Sequence, residues 1–260
     1  MTPLSLIRGI LIDLDGVLYV GSQAVNGAIE AVREIKRRGY RCRFVTNTST
    51  LSRASLHKKL AGFGFDIDEH EIVSATRAAL IYLQQFGDPV CHLLLTDDVK
   101  QDFRHLRQSD SKADFVIVGD IGDAWSYERL NRVFNLLIGG AELIAIHKNR
   151  FWQTERGLQL DIGAFVSGLE YASRKQATII GKPSPDFFKA ALSELEMPPE
   201  QAAIVGDDID ADIGGGQRAG LTGILVKTGK YRQDYAENSL VVPGLIIPSV
   251  AALPDLLPGQ

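Results

Sequence analysis

Short apolar runs alternate with longer stretches whose apolar residues recur every three or four positions, and this continues along nearly the whole chain. The run Ile7-Arg8-Gly9-Ile10-Leu11-Ile12 reads as a buried strand. From Gly27 to Arg38, residues Ile29, Val32 and Ile35 share one helical face, and Gly39 follows as a C-cap signal. Residues 41–46 predict a strand and residues 52–60 a helix, with Leu56 and Leu60 one turn apart. Three further pairs follow: helix 76–86 with strand 90–95, helix 99–107 with strand 115–118, and helix 127–138 with strand 143–146. The remainder predicts helix 164–173, strand 177–180, helix 185–195, strand 202–205, helix 212–219 and strand 223–226. Strands alternating with helices are the pattern of a parallel sheet covered by helices.

The spacing divides the chain. Between Asp15 and the helix at Gly27 only a short hairpin fits, residues 17–25. Far more chain separates Thr46 from Lys182 than one sheet crossover needs. The surplus predicts a separate α/β domain, residues 77–176, inserted into a core made of residues 1–76 and 177–260.

Composition sets the class. A chain of 260 residues, 45% hydrophobic, can bury a substantial core. A net charge of −4 and the absence of any long Lys/Arg run argue against a nucleic-acid partner. The apolar runs are too short or too interrupted for a bilayer, and the N-terminus lacks the pattern of a signal peptide. Cys42 and Cys91 each fall in a strand-like run and read as buried free thiols, so the expectation is a cytoplasmic protein without a membrane partner.

The chemistry gathers at strand ends. Asp13-Leu14-Asp15-Gly16 closes the first apolar run, so two carboxylates arrive at the carboxyl edge of a sheet, where open α/β sheets bind ligands. In an extended segment residues two apart leave on the same side, and two such carboxylates repel unless a cation or a shared proton holds them. A metal site, an acid/base pair or both would satisfy that. Thr46-Asn47-Thr48-Ser49 can cradle a phosphate or simply cap the next helix. Lys182, within Gly181-Lys182-Pro183-Ser184-Pro185, can offset the charge of Asp13 and a phosphoryl group or be a surface lysine. Gly206-Asp207-Asp208-Ile209-Asp210-Ala211-Asp212 sets four carboxylates in six positions at a strand end, a costly cluster without a hard cation such as Mg²⁺.

Taken in this order, D-x-D-G, T-N, K-P and G-D-D-x-x-x-D resemble the haloacid dehalogenase superfamily of aspartate-nucleophile phosphohydrolases over the full length of the chain. The spacing is similar to class IIA, the p-nitrophenylphosphatase-like branch. The resemblance implies a doubly wound parallel sheet, a Rossmann-like core, with an inserted α/β cap domain. It further implies an Mg²⁺-dependent phosphatase acting on a small phosphorylated substrate. Asp13 would be the nucleophile and Asp15 the general acid and base. Thr46, Asn47 and Lys182 would hold the phosphoryl oxygens. Asp13, the carbonyl of Asp15 and Asp207 would bind the metal, with Asp208 and Asp212 behind them. Members similar to this chain carry serine two places after the nucleophile, whereas this chain has Asp15, which favours a complete acid/base apparatus. Members also dimerise through the cap, so a homodimer is an expectation.

Other readings fit the residues less well. A receiver-type phospho-acceptor module also uses Asp, Mg²⁺, Thr and Lys, but its acceptor does not end the first strand and it lacks the insertion. A metal-independent dehalogenase is disfavoured by Asp15 and the acidic cluster at 207–212. Asp97-Asp98 reads as a helix N-cap, and Gly214-Gly215-Gly216 as close helix–sheet packing and not a dinucleotide loop. In the insertion, His147, Arg150 and Trp152 are expected as substrate contacts, with residues 158–163 next in line.

Overall fold

The computed structural model describes residues 4–154 and 157–259, with the side chains of residues 152–154, 157 and 158 left aside. Within that range the chain forms two compact units. One comprises Met1–Thr46, Leu56–Val73 and Lys182–Gln260; the other comprises Asn47–Ser55 and Ser74–Gly181.

The first unit is built on a six-stranded sheet. From one edge the order is Leu245–Ile247, Thr222–Val226, Ala202–Gly206, Gly9–Asp13, Arg41–Thr46 and Ile72–Ser74. The registers from Leu245–Ile247 across to Arg41–Thr46 are parallel. Gly9–Asp13 lies in the middle and is buried along its whole length, which explains its unbroken apolar run. From it the chain first builds towards Ile72–Ser74, then returns to the other side with Ala202–Gly206. The strand order therefore reverses between Asp13 and Asp207, and such switch points are where open α/β sheets bind ligands. Helix Ala28–Arg37 buries Ala28, Ala31, Val32 and Ile35, so Val32 and Ile35 lie on the core face as expected while Ile29 is only half-buried, and its last turn carries the cations Lys36 and Arg37. The hairpin after Asp15 pairs Tyr19–Val20 with Gln23–Ala24.

The second unit has its own five-stranded parallel sheet, in the order Thr178–Ile179, Glu142–Ala145, Phe115–Val118, Val90–Leu94 and Arg107–Gln108. Helices Tyr127–Ile138 and Gly163–Ser173 pack on it through Val133, Leu136, Leu137, Val166 and Leu169. Trp125 stacks on Phe165 with ring centroids 4.0 Å apart. The fold is thus a Rossmann-like parallel core with an inserted α/β domain. Among the described residues, no helix is long and apolar enough to cross a membrane.

Several local expectations change. Helix 99–107 shortens to Asp97–Lys100, followed by i→i+3 turns through Leu106. The continuation is drawn elsewhere: Phe103 is fully buried, and the Asp102 carboxylate accepts the Arg53 N–H. Asp98 caps a helix, but not its own. Thr96 caps Asp97–Lys100, while Asp98 accepts from the Ser52 N–H at 2.7 Å and from the Ser55 hydroxyl, at the start of helix Arg53–Phe63. Bonds of this kind draw residues 47–55 to the inserted unit, a segment that the sequence pattern had left with the core. Hairpin Phe151–Thr154 with Gly157–Leu160 and the edge strands Ile72–Ser74 and Leu245–Ile247 were not expected.

Candidate active site

Strand Gly9–Asp13 delivers Asp13 to the sheet edge as a buried side chain. Strand Ala202–Gly206 delivers Asp207 beside it. Asp212 arrives on the next element, Ile209–Gly214, a π-helical turn opened by Asp208. Pairs of carboxylate oxygens drawn from Asp13, Asp207 and Asp212 lie within 4.8 Å of one another, and all three residues are buried.

Lys182 supplies the cation inside this cluster. Its Nζ donates to Asp13 Oδ1 at 2.6 Å and to Asp212 Oδ1 at 2.7 Å. Burial alone would drive the ammonium to give up its proton, but Asp13 and Asp212 outweigh it and hold the group charged well above the ordinary lysine range. Asp212 is engaged on both oxygens, since Oδ2 accepts the Asp208 N–H at 3.2 Å. The Asp208 carboxylate turns away to the N–H groups of Asp210 and Ala211, where it caps the turn. Asp212 therefore sits behind Lys182, and Asp208 is a capping residue.

Asp207 is different. Its Oδ2 accepts the Lys230 N–H at 2.6 Å, whereas Oδ1 is buried with no hydrogen-bond partner among the described residues. Burial first, then the charges of Asp13 and Asp212, push the carboxyl up to about 7, and burial likewise raises Asp212 to about 6. An orphaned buried carboxylate oxygen, beside two further acids and one lysine, is a site short of positive charge. The donors are all oxygen, which is the chemistry of a hard divalent cation.

Asp15 is exposed, one residue beyond the buried Leu14. Thr46 is buried at the end of its strand, and Asn47 follows it as the first residue of the inserted unit. Within that unit, Asn47 packs closely on Gly181, where an added Cβ would fall 2.8 Å from Asn47 Oδ1.

The three residues expected in the insertion separate. His147 is buried, with Nε2 3.1 Å from Ser49 Oγ and Nδ1 3.8 Å from Asp161 Oδ1, so it is enclosed among polar partners. Arg150 is exposed, its guanidinium 5.7 Å from the Phe151 ring centroid. Trp152 lies in strand Phe151–Thr154, and its side chain falls outside the described residues.

Residues 228–230 have no expected site role from the sequence, yet they join the site. The hydroxyl of Thr228 donates to the Gly16 carbonyl, and Lys230 binds Asp207 through its backbone. Gly16 and Gly229 both have positive φ, at 91° and 60°, and an added Cβ at either would come within 2.0 Å of Asp207 Oδ2. Only glycine lets both backbones close on that carboxylate. The signal lay in Val226-Lys227-Thr228-Gly229-Lys230-Tyr231 following a buried strand, but nothing local tied it to Asp13.

Known proteins resemble this chain in sequence and in fold. A profile for haloacid dehalogenase-like hydrolases matches residues 10–107, and an HAD-hydrolase-like profile matches residues 179–253. The chain belongs to the haloacid dehalogenase-like hydrolase family, among its phosphatases. It is 38% identical over 258 residues to the phospholysine phosphohistidine inorganic pyrophosphate phosphatase of Xenopus laevis, covering 96% of this chain and 94% of that protein. It is 42% identical over 233 residues to the human haloacid dehalogenase-like hydrolase domain-containing protein 2, covering 89% and 88%. The crystal structure of a 4-nitrophenylphosphatase from Thermotoga maritima superimposes with a TM-score of 0.90 at 27% identity, covering 97% of this chain and 98% of that one.

Proposed function

We propose that the protein is an Mg²⁺-dependent phosphohydrolase that acts on a small phosphorylated substrate through an aspartyl-phosphate on Asp13. The observation that carries this reading is the buried cluster of Asp13, Lys182, Asp207 and Asp212 at the switch point of the sheet. Asp13 attacks phosphorus, forming the Asp13–phosphorus bond as the bond to the leaving oxygen breaks. Asp15 gives that oxygen its proton, then takes one from the water that displaces Asp13 and releases phosphate. Lys182 pairs with Asp13 and, with Thr46 and Asn47, neutralises the phosphoryl oxygens in the transition state. Mg²⁺, held by Asp13, the Asp15 carbonyl and Asp207, supplies further neutralisation of that charge when bound.

The relatives' names span phosphoamidates, pyrophosphate and aryl phosphate, and all three belong to the substrate class read here. The inserted unit is read as the cap, with the exposed Arg150 as its leaving-group contact and homodimerisation through the same unit. Two buried free thiols, Cys42 and Cys91, fit a cytoplasmic setting.

The test is turnover of p-nitrophenyl phosphate. Asp13→Asn should fall below about one thousandth of the wild-type rate with its fold intact, because an amide neither attacks phosphorus nor balances a cation. Chelation should silence the wild type and Mg²⁺ restore it, with Ca²⁺ failing to substitute. Full turnover by Asp13→Asn, or in metal-free buffer, would remove this reading.

A further inference from the structure

We propose that Thr228 is a positioning residue for the acid step, acting through the backbone of the Asp15–Gly16 turn. This rests on the phosphatase reading above. Asp15 has an exposed side chain and so must take its aim from its backbone. Three ties fix that backbone. The Gly16 N–H donates to the Tyr19 carbonyl at 2.7 Å. A trans peptide sets its C=O opposite its N–H, so this bond also sets the direction of the Asp15 carbonyl. Tyr19 is itself immobilised, buried and stacked on Phe63 at 5.1 Å, with Lys59 over its ring at 4.1 Å.

The next peptide plane is held from the other side. The Gly16 carbonyl accepts the Thr228 hydroxyl, and the Val17 N–H donates to Leu14. Thr228 can do this because its own loop is anchored. Tyr231 N–H closes a turn onto the Thr228 carbonyl, and Lys230 N–H is bound to Asp207. Gly229 passes so close that an added Cβ would lie 2.4 Å from Gly16 Cα. The loop after Thr222–Val226 and the turn after Gly9–Asp13 thus form one unit, joined by the side-chain hydrogen bond from Thr228 to Gly16. Glycine at position 16, with φ of 91°, has more backbone freedom than any other residue, so the Thr228 bond adds to the ties from Tyr19 and Leu14 in fixing the orientation of the Gly16–Val17 peptide.

The prediction is a leaving-group signature. Thr228→Val keeps the shape of the side chain and removes the hydroxyl. Its kcat/KM on glycerol 2-phosphate, whose alkoxide needs a proton, should drop about 30-fold, part of the full general-acid contribution. On p-nitrophenyl phosphate, which leaves unprotonated, kcat/KM should stay within about 3-fold. Thr228→Ser should restore the alkyl phosphate rate to within about 2-fold of wild type. The melting temperature of the Val variant should fall by no more than about 4 °C, as for one hydrogen bond. If Thr228→Val does not fold, Thr228→Ala serves as the second variant with the same expectation. Equal losses on both substrates, no loss on either, or failure of serine to rescue would overturn the inference. Asp13→Asn keeps the two readings apart: if it stays active the phosphatase mechanism itself falls, and if it is silent while Thr228→Val is unaffected only this inference falls.

Discussion

The ammonium of Lys182 lies 2.6 Å from Asp13 Oδ1 although 169 positions separate the two residues in the chain. Both are buried, and the same ammonium also neutralises Asp212. Replacing Lys182 with Met would leave two buried carboxylates without their cation, a loss that costs about 3 kcal/mol or more. Lys182→Met should therefore unfold at markedly lower urea concentration at pH 7 and lose phosphatase turnover. A stability change under about 1 kcal/mol would show that the acids are neutralised by some other route.

Asp207 gives the structure a defined pH dependence. Its carboxyl is raised from 3.8 to about 7, so the folded state holds this proton more tightly than the unfolded state does. The stability it contributes is present below about pH 4 and is lost as pH rises towards 7. If Asp207 holds Mg²⁺ as proposed, the cation competes with this proton, so Mg²⁺ should raise the melting temperature more at pH 8 than at pH 5. Asp207→Asn should flatten both trends. Equal Mg²⁺ shifts at the two pH values would count against Asp207 as a ligand.

Ser49 and His147 should behave as one unit. Their 3.1 Å contact is buried, and each single alanine substitution should cost about 1 kcal/mol, with the double substitution costing less than the sum. Because His147 is enclosed, His147→Ala should change kcat/KM on all phosphate substrates by a similar factor. Arg150→Ala, on an exposed side chain, should alter the ratio between substrates. Unequal effects of His147→Ala would return that residue to a direct substrate contact.

Gly216 tests the packing of the helix after the acidic loop. A Cβ there would lie 2.4 Å from Ile204 Cγ2, on the strand that carries Asp207. Gly216→Ala should destabilise the protein by about 1–3 kcal/mol, read by urea unfolding. An unchanged midpoint would mean that the helix shifts without cost.

Much of the site could be read locally. Asp13, Thr46 and Asp207 each lie at the end of or directly after a buried strand, and Lys182 lies in a turn just beyond one. The strand periodicity and the residue type are both written within a few positions. Helices with a strong apolar face, such as Tyr127–Ile138, were legible for the same reason. Short elements were not: Ile72–Ser74 has three residues, too few to show a period, and exists only as the edge partner of a longer strand.

What the sequence by itself determined is the alternation of strands and helices, the insertion between Thr46 and Lys182, and the acidic strand ends. These follow from periodicity and residue type, which act over a few residues. Only the tertiary structure decided that Lys182 neutralises Asp13 and Asp212, that Asp208 caps a turn, and that His147 is buried against Ser49. The same holds for the bond from Thr228 to Gly16. Each depends on which strands become neighbours, and sheet order is set by the burial of whole faces, a property no single segment contains.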